Sequence, residues 1–411
     1  MPLYIGVSGV EIGLTPHLES DGSGITLVGK DEALEFVVPF PIAYPTKYSK
    51  ENFEIHLLFK REVRENEIFQ IVATDDKRLG WLFPLQSLES NKHKYAEDDN
   101  FLTFARIASE LLCDGVEGVF QKRPQYEQGR DYRLSDFYSD QTVVLLLSKS
   151  HADVANGFDI EGSAPYFALH GCYLQTVRDP ADGVVESIRV QTDGIRLKPR
   201  PTSPVLREEP FVTALISEVV PYEREPLSKF FFLYQLVELL LDKVLQENYK
   251  ALANDLLEAS ESTSSTFKDL IENFSDKLSE KKRLNIMLSN FIRTRPDETD
   301  LRRLCNDFLR KVGVLALYAP DLINFSDYLY KVRNTLFHNF RIVDKAAQAS
   351  LEPISSELKI ILLELLLEFQ LPEKAKPLVA AQATQANFIA AAHGDVALAA
   401  QQDTVQVDSG S

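Results

Sequence analysis

The sequence predicts a multidomain protein in which a β-rich α+β domain precedes an all-α helical bundle. Short runs of β-branched and aromatic residues, separated by turn residues, fill roughly the first 200 positions. Longer segments with apolar residues at helical spacing follow, and glycine is almost absent from them. Four prolines lie between the two regions, within 198–210. We therefore predict domains at 1–198 and 211–372, joined by an extended Pro-rich linker at 199–210.

The first half is predicted to be mainly strands and turns. The β-rich runs lie at 4–14, 24–28, 34–38, 53–59, 68–73, 142–147 and 184–190. The segments 21–24 and 74–80 carry turn residues. One amphipathic helix is predicted at 101–112, and Trp81 is expected in the core.

The second half is predicted to be a bundle of helices. Period-3.6 apolar spacing places them at 227–257, 265–292, 299–317, 322–341 and 351–370. Residues 373–411 are rich in alanine and glutamine and poor in large apolar groups. This composition predicts a flexible tail, because such a segment can bury little surface.

Composition and charge exclude several classes of protein. A hydrophobic content of 45% in 411 residues indicates a globular chain, and no apolar run is long enough to cross a membrane. The N-terminus has no signal-peptide pattern and the cysteines number three, so we expect a cytoplasmic protein with reduced, mostly buried thiols. The net charge is −17, yet residues 277–345 contain 14 Lys and Arg against 8 Asp and Glu. This basic window is either a phosphate-binding surface or ordinary variation along helix surfaces.

The common catalytic and metal-binding motifs are missing from this sequence. It contains no HExxH, GxSxG, phosphate-binding P-loop or paired CxxC. His56 and His170 lie in predicted strands and are expected to be structural, whereas His17, His93 and His151 lie in predicted polar loops. We therefore predict no metal site and no cofactor.

One helix combines an apolar stripe with three polar groups of complementary chemistry, Arg333, Asn334 and His338. On an ideal helix Asn334 and His338 are about 40° apart, whereas Arg333 and His338 are about 140° apart. Arg333 must therefore curl towards the histidine, or the helix must end near His338. The alternative is a surface pair, or a basic cap that complements the helix dipole.

These three residues suit metal-independent cleavage of RNA. The RNA 2′-hydroxyl can attack the adjacent phosphorus if a protein group takes its proton and another protonates the leaving 5′ oxygen. A histidine can do either near neutral pH, and arginine matches the phosphoryl oxygens. DNA, which has no 2′-hydroxyl, would be excluded.

The segment "RNTLFH" resembles the R-x4–6-H motif of the HEPN superfamily, with Arg333, Asn334 and His338 at the matching positions. A long helix that opens with "FFFLYQLVELLLDKVL", followed by shorter helices and then the motif, is similar to the HEPN bundle of the Apea-like type. The resemblance covers roughly 207–370. It implies an endoribonuclease whose products carry 2′,3′-cyclic phosphates and whose active site forms between two paired bundles.

The resemblance also implies further residues and a biological setting. Glu238, in a polar stripe on the long helix, is the candidate for an auxiliary catalytic residue. Lys331 and Arg341 flank the motif and are expected to bind the RNA substrate. The β-rich half resembles the sensor domains of bacterial antiphage defence proteins, which implies an RNA-cleaving toxin released by a phage or stress signal. Whether tRNA, rRNA or mRNA is cut stays open.

Two other interpretations remain. The chain could be a non-catalytic HEPN homodimer that acts as a binding or adaptor module. Both halves could instead be structural parts of a larger assembly, which would suit the strong overall acidity.

Overall fold

The computed structural model describes residues 2–372, apart from 31–33, 42–47, 152–153, 155–156, 185–194 and 260–263. The predicted tail at 373–411 and nearly all of the predicted strand at 184–190 lie outside the described residues. Within them, the N-terminal region is β-rich and the C-terminal half is helical. This part of the fold prediction is confirmed.

The first sheet is an antiparallel meander in which each strand pairs with the next along the chain. The run predicted at 4–14 is two strands rather than one, because Ser8 and Gly9 form a tight turn. Both residues have positive φ, 51° and 85°, as the two central residues of a type I′ hairpin turn require. The strands are β1 Tyr4–Val7, β2 Val10–Leu18, β3 Gly24–Gly29 and β4 Glu35–Pro39.

The second sheet has the strand order β10-β6-β7-β8-β5-β9, and only the β10–β6 pair is parallel. Its strands are β5 Phe53–Phe59, β6 Phe69–Val72, β7 Arg78–Pro84, β8 Thr142–Ser148, β9 Tyr173–Leu174 and β10 Arg196–Leu197. The sequence did not predict β7, and the predicted turn at 74–80 runs into it. A Cβ at Gly80 would lie 2.0 Å from the carbonyl oxygen of Leu146, so the close approach of β7 to β8 requires glycine.

The central strand β8 separates two apolar cores. Val144 and Leu146 face one core, and Leu145 and Leu147 face the other, as alternation along a strand requires. The helix α1, Asp99–Asp114, lies between the two sheets and fills the first core. Trp81 is fully buried there, which confirms its prediction as a core residue.

The helical half is built on one long helix, α6. The remaining helices of the described residues are shorter. The segment predicted as one helix at 265–292 is divided, because Ser279 caps a new helix. That helix continues into a π-helical turn at Met287–Phe291. The helices after α1 are α2 Leu134–Phe137, α3 Ala164–Leu169, α4 Pro204–Arg207, α5 Pro210–Ala214, α6 Pro226–Glu258, α7 Ser264–Lys277, α8 Glu280–Ile286, α9 Thr299–Lys311, α10 Phe325–His338, α11 Lys345–Gln348 and α12 Leu351–Glu368.

The two halves share buried surface. Helix α12 packs against α3, and Phe59 and Tyr173, which belong to strands of the second sheet, lie in the core of the helical half. The segment predicted as an extended linker contains the one-turn helix α4, and Leu206 is buried in the same core. The helical half is therefore held against the sheet by apolar packing.

Candidate active site

The candidate site lies at the C-terminal end of α10. This helix buries Val332 and Leu336 in the bundle, while His338 is exposed at its last position. Arg333 and Asn334 lie at the edge of the buried stripe and are partly exposed. The sequence left two alternatives, a curling Arg333 side chain or a helix that ends near the histidine, and the structure ends the helix at His338, short of the predicted bound at 341.

Arg333 is the centre of the site. Its Nη1 donates a hydrogen bond to Oδ1 of Asn334 over 3.1 Å and lies 3.5 Å from Nε2 of His338. The side chain thus crosses the helix surface towards the histidine, as the 140° separation required. The three residues that the motif placed together in sequence are also together in space.

Glu238 joins this group from another helix. Its Oε1 lies 3.5 Å from Nη2 of Arg333, and its side chain is 49% exposed, whereas that of Arg333 is only 19% exposed. Because Glu238 faces solvent, the ion pair contributes little to stability. The pair places a negative charge beside Nη2 of the guanidinium, whereas Asn334 accepts from Nη1.

Aromatic rings enclose the guanidinium, and the sequence analysis did not single them out. The guanidinium carbon of Arg333 is 4.6 Å from the ring centre of Phe337 and 5.8 Å from that of Tyr234. Phe337 in turn lies 4.5 Å from Phe231. Tyr234 and Glu238 are four positions apart on α6 and therefore share a face, so helical spacing could have identified Tyr234.

Tyr234 is a fixed wall of the site. It is 1% exposed, and its hydroxyl donates a hydrogen bond to Glu280. Burial, together with that carboxylate, raises the pKa of the Tyr234 phenol, so the group stays a neutral donor. Arg333 therefore packs against a ring that is anchored from behind.

The other predicted site residues lie at the surface around this centre. Lys331 on α10 and Arg341 in the short 3-10 turn Phe340–Ile342 are both exposed. The basic window at 277–345 is partly neutralised in the described structure, because several of its cations pair with carboxylates. Two of these partners, Asp242 and Glu368, come from outside the window. The net positive charge available to a ligand is therefore smaller than the sequence count indicated.

The five histidines that were expected to be structural or to lie in loops all belong to the N-terminal half. His93 lies in a loop as predicted but is buried, and His170 caps the end of α3 rather than lying in a strand. His56 lies in β5 as predicted, 2.8 Å from the carboxylate of Glu54. Burial lowers the pKa of each of these three histidines, that of His170 to about 4, and the charge of Lys60 acts in the same direction on His170.

No family model, curated protein or solved structure matches this chain in comparisons with known proteins. Among the described residues, no three or more His, Cys, Asp and Glu side chains are grouped as a metal site would require. The helices that the structure describes include none with the length and hydropathy of a membrane span.

Proposed function

We propose that this protein is a metal-independent endoribonuclease of the HEPN type. Arg333, Asn334 and His338 would be its catalytic residues and Glu238 an auxiliary one, while Lys331 and Arg341 would bind the RNA substrate. The observation that carries the proposal is the convergence at an exposed helix end. There, one guanidinium lies 3.5 Å from an imidazole nitrogen and 3.5 Å from a carboxylate oxygen.

The chemistry assigns a role to each group. The RNA 2′-oxygen would bond to phosphorus while the bond from phosphorus to the 5′ oxygen breaks. His338 would move the proton, taking it from the 2′-hydroxyl or giving it to the leaving 5′ oxygen. Arg333 would stabilise the charge on the phosphoryl oxygens, and Asn334 would hold the guanidinium in place. If two copies pair, one histidine can act as base while the other acts as acid.

Exposed apolar groups beside the motif support pairing with a second copy. Phe337 is 46% exposed, Phe340 39% and Ile342 42%, and the three lie within six positions of the catalytic set. Such a patch favours an interface over a freely solvated surface. A homodimer formed through this face would bring two motifs together, as the family resemblance implies.

The β-rich half would regulate the enzyme. Its sheet contributes Phe59 and Tyr173 to the helical core, so a change in the sheet can be transmitted by packing. With the family resemblance, this supports an effector of bacterial antiphage defence whose toxicity is released by a phage or stress signal. The cut RNA would be tRNA, rRNA or mRNA.

A non-catalytic adaptor is the second candidate function. One observation favours it: Arg333 is mostly buried, and its donors already bond Asn334 and approach Glu238. In the adaptor, a guanidinium held this way would stabilise α10 against α6 and would not contact a substrate. The adaptor would use the same exposed face for pairing but would not cut RNA.

The two candidates are separated by incubating the full chain with end-labelled RNA in EDTA. The nuclease proposal predicts cleavage that leaves 2′,3′-cyclic phosphate and 5′-hydroxyl ends and that is lost in His338→Ala. The variant Arg303→Ala, on the exposed face of α9 with partners on its own helix, is the matched control and should cleave like wild type.

Substrate chemistry sharpens this test. A 2′-O-methyl or deoxyribose at the scissile position should block cleavage, because the internal nucleophile is gone. A metal requirement, or 5′-phosphate products, would contradict the proposed mechanism. Binding of RNA without cleavage, equal in wild type and His338→Ala, would support the adaptor.

A further inference from the structure

A second concave site lies far from the motif in sequence, where the segment 200–207 meets the end of α12. It is a cavity of about 540 Å³, within the range of small-molecule sites. Three arginines, Arg200, Arg207 and Arg293, line it, and apolar groups complete the wall, among them Pro204, Phe369 and Leu371. None of these residues takes part in the proposed ribonuclease chemistry.

The arginines are held in place by carboxylates that do not line the cavity. Nη1 of Arg200 lies 2.6 Å from Glu368, and Nε of Arg293 lies 2.8 Å from the same carboxylate. Nη1 of Arg207 lies 3.0 Å from Asp159. Each guanidinium has five N–H donors, so these bonds orient the groups while leaving donors for a ligand. The lining contains three cations and no carboxylate, and the adjacent Glu368 and Asp159 offset two of those charges.

A further polar group in the lining has no partner in the described structure. The hydroxyl of Ser203 is buried, and no hydrogen bond to it is formed within the described residues. A buried hydroxyl without a partner costs free energy unless a ligand or solvent satisfies it. The cavity thus combines guanidinium donors with an apolar wall.

We propose that this cavity binds a small phosphate-bearing ligand with a flat or apolar body, of the nucleotide class. Three guanidiniums, two from the segment 200–207 and one from the helical half, can donate to oxygens that point in different directions. Tetrahedral phosphate groups offer this arrangement and a planar carboxylate does not. The apolar wall of Pro204, Phe369 and Leu371 would take the base or another uncharged part.

The position of the site gives the ligand contact with both halves of the chain. The segment 200–207 is tied to the N-terminal half, because Thr202 N–H donates to the Gly162 carbonyl and Arg207 pairs with Asp159. Arg293 and Phe369 belong to the helical half. A bound ligand would therefore bridge the two halves and stabilise their contact.

Isothermal titration of the full chain in EDTA tests the proposal, with ATP, inorganic pyrophosphate and citrate as probes. We expect saturable ATP binding that is at least about tenfold tighter than that of pyrophosphate or citrate. Arg207→Ala removes one guanidinium, and Leu371→Asp adds a carboxylate at the rim without removing a polar contact. Each should weaken ATP binding about tenfold, whereas the surface control Arg303→Ala should not change it.

Three results would overturn the proposal. The first is no saturable ATP binding at millimolar concentration. The second is ATP binding no tighter than that of pyrophosphate or citrate, which would show that the apolar wall is unused. The third is wild-type ATP affinity in both Arg207→Ala and Leu371→Asp. If Arg333→Ala were then the one variant that lost ATP binding, the ligand would lie at the motif instead of in this cavity. A thermal melt of each variant distinguishes lost binding from lost folding.

Discussion

Three histidines of the sheet half and the motif histidine of the helical half have opposite surroundings. In the sheet half, His56, His93 and His170 are buried or partly buried, and burial lowers the pKa of each. In the helical half, His338 is exposed at a helix end beside Arg333. The comparison shows that the burial of a histidine decides whether its imidazole is accessible to a ligand.

For His56 the difference follows from the architecture. It lies in a strand of a covered sheet, whose central strands have core on both faces, so a polar side chain there is buried with whatever partners it finds. An amphipathic helix has a solvent face and an end where the backbone stops, and side chains from its last turn can converge there. The candidate site at α10 lies on the solvent-exposed face of the helix and at its C-terminal end.

The largest effect should come from His338→Ala. On the proposed mechanism His338 moves the proton, so its loss should slow RNA cleavage about 1,000-fold, within the range of general acid–base catalysis. Its free energy of unfolding should change by less than about 0.5 kcal/mol, because the side chain is exposed. Gel assays of cleavage and urea unfolding measure the two quantities. Equal losses of activity and stability would show that His338 is structural, and the contrast between the halves would fail.

A core residue of the sheet half should behave in the opposite way. Trp81→Ala should cost about 4 kcal/mol of unfolding free energy, since Trp81 is fully buried, packs against Phe101 and donates to Asn100. Urea unfolding followed by circular dichroism measures it. The control is Tyr318→Ala, an aromatic that is 95% exposed, which should be within about 0.5 kcal/mol of wild type. Similar losses of unfolding free energy in both variants would contradict the burial of Trp81 and the exposure of Tyr318.

The buried histidine His170 should make the fold sensitive to acid. Its pKa is about 4 in the folded chain against 6.5 ordinarily, so below pH 6.5 the unfolded chain binds a proton that the folded chain does not. Stability is thus lost as the pH falls from 6.5 to 4. His170→Phe removes this titration and should gain on the order of 3 kcal/mol relative to wild type across that window.

Urea unfolding at pH 7, 6, 5 and 4 tests the His170 prediction. His56 and His93 remain in both proteins, so only the difference between variant and wild type is informative. A difference that is the same at every pH would show that His170 titrates normally in the folded chain.

The smallest effect should come from Glu238→Gln. Removing the charge 3.5 Å from Arg333 should lower the cleavage rate about tenfold through loss of guanidinium positioning, with little change in stability. Asp242→Asn, one turn further along α6 and paired with Arg283 instead, is the matched control. If Glu238→Gln and Asp242→Asn have the same rate, Glu238 belongs only to the solvated stripe of α6.

Several elements were predictable because their signals are local. The strand predicted at 53–59 is β5 Phe53–Phe59, and the helix predicted at 227–257 is α6 Pro226–Glu258. Strand β7 was missed because Arg78, Leu79 and Gly80 follow turn residues and were assigned to the turn. Its pairing with β8 depends on close packing at Gly80, which no local pattern reveals.

The motif was predictable and its surroundings were not. Arg333, Asn334 and His338 lie within six positions of one helix, so the geometry of a single helix constrains their separation. The sequence placed Glu238 on a polar stripe but could not say that it would face Arg333. Nor could it predict that Tyr234 would pack against the guanidinium, since α6 and α10 are far apart in the chain, whereas Phe337 lies four positions after Arg333 on the same helix.

By itself the sequence determined the coarse fold class, the amphipathic helix that carries the motif and the grouping of three catalytic candidates. Hydrophobic periodicity and helical spacing are properties of neighbouring residues, so they can be read without a fold. Only the tertiary structure decided which distant groups meet: Glu238 with Arg333, and Arg207 with Arg293 around one cavity. Those contacts depend on how helices and sheets pack, because packing brings together side chains that no local pattern relates.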